Sequence, residues 1–175
     1  MNEISIIIAT TAEKKRAKSL LNAINSILFQ KDVNATPIVV VNGSLFSSDL
    51  LTQLKKIKGV DYHYISEGNC GRARRYGREH VKTPYFGFLD DDDEYFLDAM
   101  NSRVEPMLND PQIDVVVSNG FISPNGIKRL NQPEILSIKS DVFGRLIRDN
   151  WLAPCGGLFR STSISSEYFD PEIKY

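Results

Sequence analysis

Cysteine is scarce: Cys70 and Cys155 are the only two in 175 residues. Their separation matches no zinc-ligand pattern, and two thiols build no disulfide framework. A reducing compartment follows, and the expected location is cytoplasmic or peripheral to a membrane. Histidine is equally sparse, and His63 and His80 have no metal-like spacing. No apolar run approaches the roughly 20 residues that span a bilayer, so no transmembrane segment is expected. Met1-Asn2-Glu3 is acidic and runs straight into a strand, so no signal peptide is expected there. The formal net charge of -1 gives no global field towards nucleic acid. No GxxxxGK[ST] loop occurs. Gly68, Gly71 and Gly77 do not form GxGxxG and do not follow the first strand. A P-loop and an NAD fingerprint are thereby excluded.

What the chain does have is alternation. Ile4-Ser5-Ile6-Ile7-Ile8 is β-branched and nearly continuous, as in a parallel strand buried on both faces. Leu20, Ile24, Ile27 and Leu28 then recur at helical spacing. Lys14, Lys15, Arg16 and Lys18 at that helix's start read as a solvated basic face, or as neighbours of a phosphate. Pro37–Val41 and Val60–Ile65 are further strands, and Arg72, Arg74, Arg75 and Arg78 stud a basic helix. A helix is expected over residues 95–108, a strand over 114–118, and a helix over 141–148. Phe121-Ile122 and Ile127-Lys128 flank the turn Ser123-Pro124-Asn125-Gly126 and predict a hairpin. A glycine-opened strand runs from Cys155 to Arg160. The pattern predicts one α/β domain over residues 1–175, with a mainly parallel sheet flanked by helices and a small antiparallel addition at the C-terminal end.

The chemistry concentrates in Phe88-Leu89-Asp90-Asp91-Asp92-Asp93-Glu94. A short buried strand ends there in consecutive acids, where open α/β sheets bind ligands. Clustered carboxylates repel one another, and a hard divalent ion relieves that repulsion. The alternative is a solvated acidic turn capping the next helix. Arg72 or Arg74 can contact phosphates, and the Asn42 amide offers a donor and an acceptor to a base edge. Trp151 either stacks on a sugar or packs. Both thiols are expected to be inert.

Taken in order, these pieces resemble inverting family 2 glycosyltransferases of the GT-A fold. Ser5-Ile6-Ile7-Ile8-Ala9-Thr10 is similar to the family's opening strand, with Ala9 in place of proline. Ser26-Ile27-Leu28-Phe29-Gln30 resembles its "SILxQ" helix, and Val40-Val41-Asn42-Gly43-Ser44 its "VVDDGS" turn. Asn69-Cys70-Gly71-Arg72-Ala73-Arg74-Arg75-Tyr76-Gly77 resembles "NxG…ARNxG", slightly shortened and with Arg75 for asparagine. Phe88-Leu89-Asp90-Asp91-Asp92-Asp93 is similar to "FLDxDD", the DxD element. Gly156-Gly157-Leu158-Phe159-Arg160 resembles the acceptor-side strand, and Tyr168-Phe169-Asp170 the "GGFDE" that follows.

The resemblance implies single-displacement sugar transfer from a nucleotide-sugar donor, UDP-sugar favoured, to a glycan or other hydroxyl acceptor. It also implies Mn²⁺ or Mg²⁺. The metal set it implies is Asp92, Asp90 and Asp93, with Asp92 in direct contact. The donor set is Thr10, Asn42, Arg72, Arg74, Asp90 and Asp91. Asn42 stands where the family commonly has aspartate, so Asn42→Asp is expected to favour uridine nucleotides. The family's acidic base follows the "GGFDE" segment, so it is expected beyond Tyr175, with the domain cut short there. The rival readings are another nucleotide-dependent enzyme, such as a nucleotidyltransferase, and a non-catalytic nucleotide-binding domain of the same fold. The first usually carries a glycine-rich, lysine-bearing loop after its first strand, and Ala9-Thr10-Thr11-Ala12-Glu13 has no glycine.

Overall fold

The computed structural model describes residues 1–123, 126–149, 151–152 and 154–170. Strands β1 (Asn2–Thr10), β2 (Val33–Asn42), β3 (Asp61–Ile65) and β4 (Tyr85–Phe88) alternate with helices α1 (Ala17–Leu28), α2 (Ser48–Leu54) and α3 (Cys70–Glu79). Then come α4 (Ala99–Asn109), β5 (Val115–Val117), the hairpin β6 (Phe121–Ile122) and β7 (Arg129–Leu130), α5 (Val142–Asp149) and β8 (Gly157–Arg160). The main sheet has six strands in the order β3-β2-β1-β4-β8-β5. Its first four strands are mutually parallel, and β8 runs antiparallel to both β4 and β5. The expected mainly parallel sheet with an antiparallel far end is thus what the chain forms.

β1 lies near the middle because both of its faces are apolar. Ile4, Ile6 and Ile8 point into one core with Leu20, Ala23, Ile24 and Ile27 of α1 and Met100, Val104 and Met107 of α4. Ile7 points the other way, into a second core with Ile38, Val40, Ala73, Phe86 and Phe88. Period-two alternation with apolar residues on both faces produces the continuous run seen in the sequence. α3 comes very close to the sheet: a Cβ on Gly77 would lie 2.5 Å from Ile7 Cγ2. Arg78 on the same helix is buried, with its guanidinium 4.4 Å from the Phe86 ring centre. It donates to the carbonyls of Ser161 at 2.6 Å and Ile164 at 2.6 and 3.0 Å.

Three expectations shift in detail. β2 begins at Val33 rather than Pro37, and its ladder with β3 opens at Ile38, just past the residue with no N–H. α4 begins at Ala99 because Tyr95 is held elsewhere: its N–H donates to Ser26 Oγ at 3.1 Å and its hydroxyl to the Phe88 carbonyl at 2.7 Å. The hairpin pairs Phe121 with Leu130 and Ile122 with Arg129, two residues beyond the expected return strand. Pro124 and Asn125 of its turn lie outside the described residues. No helix among the described residues is long and apolar enough to cross a membrane.

Candidate functional site

The chain winds from β1 to β2 and β3 on one side, then crosses to β4 on the other. The carboxyl ends of β1 and β4 therefore flank the point where the winding reverses, the usual crevice for a ligand in such sheets. Thr10 ends β1, and the acids begin just after β4.

The consecutive aspartates have different surroundings. Asp91 is buried. Its Oδ2 accepts from Thr10 Oγ1 at 2.5 Å, and its Oδ1 accepts from Arg16 Nη1. Asp90 is half-buried and paired with Arg74, Nη2 to Oδ1 at 2.6 Å. Asp92 is open, its side chain 61% exposed and 3.5 Å from Arg16. Asp93 Oδ2 accepts from the Cys155 thiol at 3.1 Å, and the same sulfur accepts the Asp90 N–H at 3.4 Å. Burial pushes the Cys155 thiol well above its ordinary range, and the charges of Asp90 and Asp93 add to the effect. The charge of Asp91, aided by its hydrogen bond, holds the Arg16 guanidinium more firmly protonated.

The remaining expected residues lie apart from the acids. Asn42 is buried at the end of β2, and its Nδ2 donates to the Thr10 carbonyl at 3.0 Å. A carbonyl only accepts, so that contact fixes which way the amide faces. Arg72 lies in the first turn of α3, where its N–H is capped by Asn69 Oδ1 at 3.0 Å and its guanidinium pairs with Glu67 at 2.8 Å. It lines a cleft of about 390 Å³ with Ile65, Arg75, Tyr76 and Asp170. A larger cleft of about 660 Å³ opens beside the acids, with Asp92, Asp93, Arg103, Phe121 and Trp151 in its walls. Trp151 Nε1 donates to the Val142 carbonyl at 3.2 Å. Arg103 is buried, donates to Ser118 Oγ at 2.8 Å and the Cys155 carbonyl at 3.1 Å, and lies 4.9 Å from the Tyr95 ring centre.

A sheet that reverses at β1, with acids at the adjoining strand end and a cleft beside them, is shared by more than one enzyme class. A family model described as Glycosyl transferase family 2 matches residues 5–166. The chain belongs to that family. It is 30% identical over 105 residues to an uncharacterized glycosyltransferase of Rickettsia typhi, covering 60% of this chain and 33% of the relative. An uncharacterized glycosyltransferase of Rickettsia conorii is 30% identical over 106 residues, covering 60% of this chain and 18% of the relative. This family 2 chain therefore spans a third or less of the length of those relatives. Residues 1–349 of S. aureus TarS superpose with a TM-score of 0.66 at 15% identity, covering 93% of this chain and 48% of that one. That protein has also been solved with UDP, and with UDP-GlcNAc at a TM-score of 0.65, 14% identity, and coverage of 93% of this chain and 46% of that one. At such identity the likeness is one of fold, and the fold is the GT-A arrangement.

Within the family 2 chain, the donor set of a divalent ion can be tested against the geometry. Asp90, Asp93 and Cys155 each present one ligand atom within 4.8 Å of the others. Two carboxylate oxygens at that spacing suit a hard divalent cation. Asp92 stands outside that group. Two residues here carry no sequence signal of their place in the site. Arg16 is one cation in a basic run, and its long-range pairing with Asp91 sets it apart. Cys155 carried no local signal beyond the glycines that follow it. The stretch where an acidic base is expected, at and beyond Tyr175, lies outside the described residues.

Proposed function

We propose that this family 2 chain binds the donor in a glycosyltransferase that moves a sugar from a nucleotide diphosphate to a hydroxyl of a glycan-type acceptor. Transfer proceeds by single displacement, with inversion at the sugar carbon. The observation that carries this reading is the carboxylate group of Asp90 and Asp93 at the sheet's reversal point, with Arg74 held on Asp90. A pyrophosphate needs a divalent ion and fixed cations, and the two are side by side here. UDP is the favoured nucleotide, because the similarly folded TarS was crystallised with UDP and UDP-GlcNAc.

Thr10 and Asn42 then face the base side, and Arg72 and Arg74 the phosphates. Asp90 and Asp91 border the nucleotide. Mn²⁺ or Mg²⁺ would be held by Asp90 and Asp93, with solvent-open Asp92 adding a further carboxylate. When bound, such an ion offsets charge growing on the departing diphosphate. The 660 Å³ cleft is large enough for sugar rings, and the Trp151 and Phe121 side chains give it apolar walls against which a pyranose face can stack.

Isothermal titration with UDP and UDP-sugars, in Mn²⁺ and in EDTA, tests the reading. Binding is expected to tighten with Mn²⁺, and Asp93→Ala to remove most of that gain. Nucleotide affinity that is equal in EDTA, or unchanged in Asp93→Ala, would overturn it.

A further inference from the structure

Residues 93–96 belong to no helix or strand, yet they run along the larger cleft, and Glu94, Tyr95 and Phe96 form part of its wall. One row of polar side chains holds them. Asn22 and Ser26 of α1 and Gln30 just past its end are spaced four apart, the spacing of neighbours on a helix surface. They engage three consecutive residues in order. Asn22 Nδ2 donates to Glu94 Oε1 at 3.1 Å, Ser26 Oγ accepts the Tyr95 N–H at 3.1 Å, and Gln30 Nε2 donates to the Phe96 carbonyl at 2.7 Å. Gln30 is buried, and its amide is engaged at both ends. Nε2 also donates to the Ser26 carbonyl at 2.9 Å, and Oε1 accepts the Met100 N–H at 2.9 Å. The Lys31 N–H adds a bond to the Leu97 carbonyl at 2.8 Å. The Phe96 ring in turn meets that of Phe121 edge-on at 5.9 Å, so the hold extends to the hairpin across the cleft.

We infer that Ser26 and Gln30 are positioning residues for the sugar side of the site: they fix Tyr95 and Phe96 as one unit, and that unit sets the shape of the cleft. The inference rests on the reading that this cleft takes sugar, but the wall itself is measured without any ligand. Backbone outside a helix or ladder still needs partners for its N–H and C=O groups, and segments without them open locally. Apolar packing alone is non-directional and would let the segment slide along α1. Hydrogen bonds to successive residues fix its register. The turn of acids is closed separately, by the Asp93 N–H on the Asp90 carbonyl at 3.2 Å. Loosening the wall therefore acts on sugar binding and leaves the contacts proposed for the nucleotide, at Thr10, Asn42 and Arg74, in place.

Amide exchange followed by NMR in the ligand-free protein reads the wall directly. In both Ser26→Ala and Gln30→Met, the Tyr95 and Met100 amides should exchange about tenfold faster, because the row holds one unit. Ser26→Thr, which keeps a hydroxyl, should restore the wild-type rate. Leu54→Ala, a core variant on α2, controls for lost stability and should not single out these two amides. Calorimetry with UDP and UDP-GlcNAc in Mn²⁺ separates positioning from packing. Ser26→Ala and Gln30→Met should bind UDP as wild type does, while the difference in affinity between UDP-GlcNAc and UDP shrinks several-fold. Exchange that rises only at the amide whose own partner was removed, failure of Ser26→Thr to restore it, or equal losses for UDP and UDP-GlcNAc would each overturn the inference. Should Gln30→Met not fold, Ser26→Ala decides alone. A wild type that binds neither ligand, or both equally, would count against the proposed function instead, and the ligand-free exchange would still decide the wall.

Discussion

Thr10 and Asp91 share a buried hydrogen bond of 2.5 Å across 81 residues of sequence. The Thr10 hydroxyl also accepts from the Ala12 N–H at 2.9 Å, so one side chain ties the exit of β1 to the acids after β4. Arg16 completes the arrangement on the other oxygen of Asp91. Neighbouring aspartates therefore divide into one that builds the site and others that face its contents.

That division is measurable in unfolding. Asp91→Ala should cost about 1–3 kcal/mol, since it leaves the Thr10 hydroxyl without its acceptor. The share owed to Arg16 is small, because its side chain is 39% exposed and water screens the pair. Asp92→Ala, at 61% exposure, should shift the urea midpoint hardly at all. Equal midpoints for the two variants would refute the division.

Arg74 and Asp90 form a partly exposed pair, 29% and 40%. Arg74→Ala should therefore lower stability by no more than about 1 kcal/mol. Nucleoside diphosphate affinity should nevertheless fall several-fold, and the loss should be smaller for the nucleoside alone. Calorimetry with UDP and uridine separates the two; identical losses would move Arg74 away from the phosphates.

Asn42→Asp now carries a cost that residue type alone did not reveal. The amide nitrogen donates to the Thr10 carbonyl, and a carboxylate oxygen there would face another acceptor. Losing the bond and opposing two oxygens should destabilise by about 1–3 kcal/mol. The uridine preference first expected of this change should shrink or vanish. A variant as stable as wild type that ranks UDP further above GDP and CDP would restore the simpler view.

Gly77→Ala is a case where helix propensity gives the wrong sign. Alanine is better by about 1 kcal/mol in an exposed helix. Here its Cβ would lie 2.5 Å from Ile7 Cγ2 and 3.3 Å from Val40 Cγ2. Overpacking of this kind costs about 1–3 kcal/mol. A lowered thermal midpoint is expected, and a raised one would mean that α3 can lift off the sheet freely.

The thiols should separate by reactivity. Cys70 is exposed, whereas burial and two carboxylates hold the Cys155 proton in place. Thiolate is the attacking form. Iodoacetamide near pH 8 should modify Cys70 well before Cys155, and labelling of Cys155 should accelerate as pH rises. Peptide mapping after timed quenching checks the order; equal rates would contradict it.

The sheet was readable from sequence wherever burial is two-sided. Ile4 to Ile8 of β1 and Pro37 to Asn42 of β2 announce themselves because every residue there is inside. The alternating start of β2, with exposed Asn34 and partly exposed Thr36, merges with the loop before it and was missed. The acids were legible as a cluster, but their individual roles were not. Asp91 is set apart from Asp92 by its burial and by its bonds to Thr10 and Arg16, and contacts over 75 and 81 residues leave no trace in local spacing. Cys155 next to Asp93 is likewise a product of β8 folding back, across 62 residues.

β8 also governs the order in which the chain can fold. It comes last in sequence among the strands of the described residues, yet it lies between β4 and β5. On a ribosome, β1 to β4 can pair as they emerge, whereas β5 has no partner in the sheet until β8 has emerged as well. During that interval the free edge of β4 bears Tyr85, Phe86 and Phe88, an aromatic template for pairing with the wrong chain. Slow translation before β8 has emerged would therefore lower the yield of native protein.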